Sequence, residues 1–162
     1  KCGAIGIESR VGRTFILNLM KKEEADLGAE YSSHFYFKEL RGGDDGIYAF
    51  FKTYSLASNK DFDDMLDEIP LYPKKSINLK VDDEKKFKLI EELKKILRPE
   101  EGKRIVTIDG VKVIYEDGWY LIRPSNTQPL LRITIEANDE KRLNELERES
   151  LSLLQEVQTI SS

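Results

Sequence analysis

Residues 111–137 read VKVIYEDGWYLIRPSNTQPLLRITIEA, and this stretch decides the fold of the C-terminal half. It is rich in β-branched and aromatic side chains, which fit a pleated and half-buried surface. Leu131, Ile133 and Ile135 alternate with polar residues between Leu130 and Ala137, which predicts a strand with one buried face. Asp109-Gly110 and Asp117-Gly118 punctuate the residues before it as two-residue hairpin turns, giving three further strands. Upstream, Ile77, Leu79 and Val81 predict another strand of the same kind. Asp82 to Leu97 predicts an amphipathic helix with Phe87, Ile90, Leu93, Ile96 and Leu97 as its apolar stripe. Aspartates open that helix and Pro99 follows its end. Downstream, Asp139 to Gln158 predicts a second helix with Leu143, Leu146, Leu153, Leu154 and Val157 inward. Strand, helix, meander and helix make an α+β domain: one antiparallel sheet with two helices on one face.

The N-terminal part reads as α/β. Ala4-Ile5-Gly6-Ile7 is expected as a short buried strand. Arg13 to Lys22 is expected as a helix with Phe15, Ile16, Leu19 and Met20 on one side. Asp26 to Glu30 and His34 to Phe37 are expected as extended pieces. Asp44-Asp45-Gly46 introduces a helix in which Ile47, Phe50, Phe51 and Tyr54 recur at helical spacing, and an aspartate there can accept the first free N–H groups. Ala57 to Lys75 reads as a connector, with Asn59-Lys60-Asp61, Pro70, Pro73 and a short helical turn around Phe62 to Leu66. The boundary is placed so that residues 1–72 and 73–162 form two domains. The chain begins on Lys1 rather than methionine, and the expectation is that it is the C-terminal part of a larger protein.

Of 162 residues, 40% are hydrophobic and 35% charged, the composition of a globular protein. The net charge of −4, with 30 acids interspersed among 26 bases, argues against nucleic acid as a partner. No apolar run approaches the ~20 residues that span a bilayer, so no membrane partner is expected. A single cysteine, Cys2, rules out an internal disulfide, and the cytoplasm is the default location.

Two loops stand out chemically. Arg123-Pro124-Ser125-Asn126-Thr127-Gln128-Pro129 is too long for a simple hairpin turn. It gathers a guanidinium, two hydroxyls and an amide within five positions, with prolines at 124 and 129. An arginine fork matches two phosphate oxygens at once, and successive backbone N–H groups form an anion-binding concavity. The bland alternative is an ordinary turn built from turn-forming residues. In Gly28-Ala29-Glu30-Tyr31-Ser32-Ser33-His34, Glu30, Ser32 and His34 fall at every second position, so that they share one side of an extended segment. A carboxylate, a hydroxyl and an imidazole suit sugar hydroxyls and phosphate oxygens. The alternative is a polar strand end with a satisfied histidine.

Together these segments resemble the signature loops of the α-D-phosphohexomutase superfamily, in its phosphomannomutase/phosphoglucomutase branch. Glu30-Tyr31-Ser32-Ser33-His34 resembles the G-E-x-S-G-H sugar loop of the third domain. Arg123 to Arg132 is similar to the R-x-S-[GN]-T-E-P-x-x-R phosphate loop of the fourth. Asp44-Asp45-Gly46-Ile47-Tyr48 resembles the D-D-G-I/M stretch, and Arg10 to Thr14 the T-x-V-G-[HDR] segment. Ser33 replaces the usual glycine, a change that is tolerated where positive φ is not required. Ala29 replaces a second glycine, Gln128 stands where glutamate is common, and Arg13 stands where relatives carry histidine or aspartate.

The resemblance implies an incomplete third domain followed by a fourth with a TATA-binding-protein-like layout. It implies interconversion of hexose 6-phosphate and hexose 1-phosphate, of mannose and/or glucose, through a phosphoserine and a bisphosphorylated sugar. Glu30, Ser32 and His34 would bind sugar, with Arg13 as an active-site neighbour. Arg123, Ser125, Asn126 and Thr127 would bind phosphate. The phosphoserine loop T-x-S-H-[NS]-P and the Mg2+ loop D-x-D-x-D-R do not occur among these residues, so the chain alone is expected to be inactive and to hold no catalytic or metal residue. Mg2+ and a hexose 1,6-bisphosphate are the implied cofactors. The implied partners are a phosphohexose substrate, the N-terminal domains of the same protein and, as one mode of assembly, a second copy in a homodimer. The rival class is a stand-alone sugar-phosphate-binding module without catalysis.

Overall fold

Arg13–Glu23 forms helix α1, because Ile16 and Met20 fall one turn apart and bury together with Tyr36. The computed structural model describes residues 3–41, 43–58 and 62–160. Cys2 and Asn59-Lys60-Asp61, on which the disulfide and connector readings drew, lie outside them. The chain divides into two compact units, residues 1–70 and 71–162.

In the first unit, β1 (Leu27–Ala29), β2 (Phe35–Phe37) and β3 (Gly43–Asp44) form a small antiparallel sheet in that order. Helix α2 (Gly46–Ala57) starts where Asp45 accepts the Tyr48 N–H at 2.9 Å, the capping expected from Asp44-Asp45-Gly46. A short helix, α3, follows at Phe62–Asp67. One expectation fails. Ala4 to Ile7 is not a buried strand: it has no sheet partner among the described residues, and Ile5 is 88% exposed. A strand needs a neighbour to satisfy its backbone groups, and apolar content alone does not supply one. The stripe of Ile47, Phe50, Phe51 and Tyr54 is helical as read, yet all four stay exposed, Ile47 at 73%.

The second unit carries the larger core. Strands β4 (Lys74–Lys80), β5 (Arg104–Val106), β6 (Val111–Tyr115), β7 (Gly118–Pro124) and β8 (Leu130–Ala137) form an antiparallel sheet in the order β4-β8-β7-β6-β5. Helices α4 (Asp83–Ile96) and α5 (Glu140–Ile160) pack on it and on each other. Val111, Val113, Tyr120, Ile122, Leu131, Ile133 and Ile135 supply the sheet side of the core, and Leu93, Leu146, Leu154 and Val157 the helix side. Burying one such side chain is worth about 1.5–3 kcal/mol.

The α4 stripe differs from the expected one. Phe87 is 53% exposed, and the inward positions are Lys86, Leu89, Ile90, Leu93 and Leu97. Those positions recur at the three-to-four-residue spacing of one helix face; Phe87 is about 100° round from it. The β6–β7 turn also differs. Tyr115 pairs with Gly118, so the two turn residues are Glu116 and Asp117, neither with positive φ. Gly118 is the first strand residue. A Cβ there would lie 2.8 Å from the Glu136 oxygen and 2.8 Å from Leu146 Cδ1, so close packing rather than turn geometry requires the glycine.

Candidate functional site

The loop after β7 is the better-defined of the two candidate sites. Strand pairing continues through Arg123↔Arg132 and Pro124↔Leu131, and Ser125 N–H donates to Leu130 O at 2.9 Å. The open part is therefore Asn126 to Pro129, all exposed. Ser125 is only 3% exposed, and its hydroxyl accepts the Thr127 N–H at 3.4 Å. The hydroxyl helps shape the loop by accepting this bond, and its own O–H hydrogen remains available to donate. The N–H groups of Asn126 and Gln128 have no partner among the described residues.

Arg123 and Arg132 stand directly opposite each other on neighbouring strands, on the same face of the sheet. They lie on the face away from Ile122, Leu131 and Ile133, which point into the core. Like charges so placed repel and destabilise a pair. Asp109 offsets Arg123 from 4.0 Å, and the Gln128 amide oxygen accepts from Arg132 Nη2 at 3.3 Å. Arg132 Nε is buried without a partner among the described residues. Two guanidiniums, one with an orphaned donor, and unpartnered backbone N–H groups in the adjoining loop are the donor types that suit an anion.

Sequence reading missed Lys86. Its ammonium, on a residue 3% exposed, donates to Ser125 O at 2.7 Å and Gln128 O at 3.0 Å, and pairs with Asp83 at 2.6 Å. The signal was present: a lysine in register with Leu89, Ile90, Leu93 and Leu97 on an otherwise apolar helix face.

The first-unit loop is a tight hairpin, not the extended segment expected. Glu30 N–H donates to His34 O at 2.9 Å, and Ser33 N–H to Glu30 O at 3.0 Å. Ser33 has φ +66°, so the position does require the left-handed conformation that glycine takes freely. A three-residue hairpin closing on a left-handed residue has this geometry.

The turn brings Glu30 and Ser32 together: Ser32 Oγ donates to Glu30 Oε2 at 3.2 Å, while Glu30 Oε1 accepts the Gly12 N–H at 2.8 Å. The carboxylate thereby sits at the N-terminus of α1, where the helix dipole favours negative charge. His34 is held separately, with Nδ1 2.6 Å from Asp44 Oδ2. With the carboxylate accepting, the hydrogen of this contact is on Nδ1, and no hydrogen bond engages Nε2 among the described residues. Asp44 also accepts the Phe35 N–H at 3.3 Å. Beneath them Tyr36 is buried, and its phenol is pushed above its ordinary value by burial first, then by Glu30 and Asp44, against Arg13. Arg13 is thus electrostatically coupled to the cluster, although it is exposed at the start of α1.

Among the described residues no group of three or more His, Cys, Asp or Glu side chains is arranged to hold a metal ion.

Comparison with known proteins agrees with both units. Residues 1–72 match phosphoglucomutase/phosphomannomutase, alpha/beta/alpha domain III, and residues 77–152 match the C-terminal domain of the same family. The chain belongs to the phosphoglucomutase/phosphomannomutase family. A phosphomannomutase of Methanocaldococcus jannaschii is 35% identical over 159 residues, 95% of this chain and 34% of the relative. A phosphomannomutase/phosphoglucomutase of Pseudomonas syringae is 37% identical over 142 residues, 85% of this chain and 30% of the relative. A probable phosphoglucosamine mutase of Methanococcoides burtonii is 35% identical over 137 residues, 85% of this chain and 31% of the relative. The crystal structure of a family member from Burkholderia thailandensis superposes with a TM-score of 0.78 at 28% identity, covering 91% of this chain and 32% of that one. The chain thus spans about a third of the length of the relatives it matches. No helix among the described residues is long and apolar enough to cross a membrane.

Proposed function

We propose that the complete protein is a phosphohexomutase interconverting hexose 6-phosphate and hexose 1-phosphate, of mannose and/or glucose, and that this chain supplies sugar and phosphate recognition. Arg123, with Asn126 and Thr127, holds the phosphate that is not reacting. Glu30 and Ser32 take sugar hydroxyls, and His34 offers Nε2 to the ligand with Asp44 fixing its ring. Phosphoryl transfer runs between a serine elsewhere in the complete protein and the sugar, through a bisphosphorylated hexose. Such chemistry depends mainly on positioning and charge neutralisation. Mg2+, held elsewhere in the complete protein, would supply further neutralisation of phosphate charge.

The observation that carries this reading is the Arg123–Arg132 pair. Two guanidiniums opposite each other across a strand pair, of which Asp109 offsets one from 4.0 Å, favour an anion, and the unpartnered Asn126 and Gln128 N–H groups follow in the same loop. The test is 31P NMR of the full-length protein supplied with mannose 1-phosphate or glucose 1-phosphate, Mg2+ and a catalytic amount of hexose 1,6-bisphosphate. Appearance of the 6-phosphate resonance is expected for at least one sugar. Absence of conversion for both would refute the reading.

A further inference from the structure

The loop that carries Asn126 and Thr127 has few internal hydrogen bonds, and what fixes it comes from outside. Lys86 lies on the inward face of α4, one turn before Leu89 and Ile90. All three of its donors are engaged: Ser125 O at 2.7 Å, Gln128 O at 3.0 Å and Asp83 Oδ1 at 2.6 Å. A buried ammonium is retained only where its hydrogens are satisfied. This one spends two of them on carbonyl oxygens of a single loop.

The orientation of those carbonyls has a consequence for the opposite side. In a trans peptide the N–H points away from the C=O. With Ser125 C=O turned toward Lys86, the Asn126 N–H is turned away from α4. That is the side of the sheet on which Arg123 and Arg132 stand. At the second carbonyl, that of Gln128, the next residue is Pro129, which has no N–H to misdirect. Lys86 therefore does two things for an anion on the arginine side. It holds the Asn126 amide pointed at it, and it adds a buried positive charge behind the loop, screened only partly by the exposed Asp83. A group already oriented loses less entropy when the ligand binds.

From this geometry we infer that Lys86 is a positioning residue for phosphate recognition, acting through the Ser125 and Gln128 carbonyls without touching the ligand. The inference rests on the phosphate-binding reading of this loop.

The experiment compares wild-type full-length protein with Lys86→Met, which keeps the chain length and removes the charge, and with Lys86→Gln. Leu93→Ala serves as a control, because Leu93 is fully buried on the same helix face, seven residues (about two turns) beyond Lys86. The affinity for inorganic phosphate is measured by calorimetry, alongside KM and kcat for the sugar phosphates. Lys86→Met is expected to weaken phosphate binding about tenfold or more and to raise KM comparably, with kcat changing much less, the split expected when ground-state and transition-state binding are lost together. Lys86→Gln should recover part of the loss through one remaining donor. Leu93→Ala should lower the melting temperature while leaving phosphate affinity within about twofold of wild type. The proposal is overturned if Lys86→Met binds phosphate as wild type does, or if Leu93→Ala weakens binding as much. Failure of both Lys86 variants to fold would assign the ammonium to stability alone and would also overturn it. Wild-type protein that binds phosphate but turns over no sugar would refute the mutase reading and leave the Lys86 comparison intact.

Discussion

Gly110 offers a quantitative test of how the phosphate loop is supported. It has φ +86°, and a Cβ built on it would lie 2.2 Å from Ile122 O and 2.8 Å from Arg123 Cα. Gly110→Ala therefore incurs two separate costs. Holding alanine in the left-handed region costs about 1–2 kcal/mol. Relieving a contact against backbone atoms, which cannot rotate aside, adds about 1–3 kcal/mol of overpacking. The total is about 2–5 kcal/mol. Gly102→Ala isolates the first cost, since Gly102 has φ +73° with nothing within 4 Å of its built Cβ. That variant should lose about 1–2 kcal/mol. Urea unfolding of the 162-residue chain, followed by the fluorescence of its single tryptophan, Trp119 on β7, measures both. The expected gap between the variants is about 1–3 kcal/mol. Because the strain falls on Arg123 Cα, Gly110→Ala should also weaken phosphate binding by the full-length protein, whereas Gly102→Ala should not. Equal stabilities for the two alanine variants would refute the close-approach argument.

Three further outcomes are expected. Ser33→Gly should stabilise the first unit by up to about 1 kcal/mol in thermal unfolding, the relief of left-handed strain being partly offset by a more flexible unfolded chain; a destabilised variant would contradict the φ of +66°. Tyr115 and Tyr120 both donate to Glu149 Oε1, at 2.6 and 3.0 Å, and both phenols are pushed upward, burial first and Glu149 next. A raised tyrosine keeps its proton in the folded state after the unfolded chain has released it. Stability should thus be unaffected below about pH 10 and fall above it by up to about 1.4 kcal/mol per pH unit for each tyrosine, and Tyr120→Phe should flatten the alkaline slope in pH-dependent urea unfolding. Asp45→Ala removes the 2.9 Å cap on Tyr48 N–H and should cost about 1 kcal/mol, seen as lost helical ellipticity of α2 on mild heating.

The C-terminal fold was legible because its signals are local. Alternation along Leu130 to Ala137 and the three-to-four-residue spacing of Leu143, Leu146, Leu154 and Val157 each specify one face, and the structure buries those faces. What was not legible depends on contacts between distant residues. Phe87 is as apolar as Leu89, and only the docking of α4 decides that Leu89 faces the sheet and Phe87 the solvent. Gly118 reads as a turn residue after an aspartate, yet its role is to admit Glu136 and Leu146. In the sites, the chemistry of Arg123, Glu30 and His34 was readable from residue type. The partners that orient them were not: Lys86 lies 39 residues from Ser125, Gly12 lies 18 from Glu30 and Asp44 lies 10 from His34. The alternation of Glu30, Ser32 and His34 also misled, because the backbone reverses at Ser33.

The central claim is that one arginine-bearing loop receives the phosphate of either sugar phosphate. The most direct measurement is KM for hexose 1-phosphate and for hexose 6-phosphate, in the forward and reverse directions, for full-length wild type and Arg123→Ala. A charge-assisted, partly buried contact is worth roughly 2–3 kcal/mol, which corresponds to about a 30- to 150-fold change. The account predicts that KM rises by about that factor for both sugar phosphates, that kcat falls less, and that Arg123→Lys recovers only part because an ammonium lacks the fork. An unchanged KM, a rise for one sugar phosphate alone, or a rise produced by Arg132→Ala and not by Arg123→Ala would contradict it.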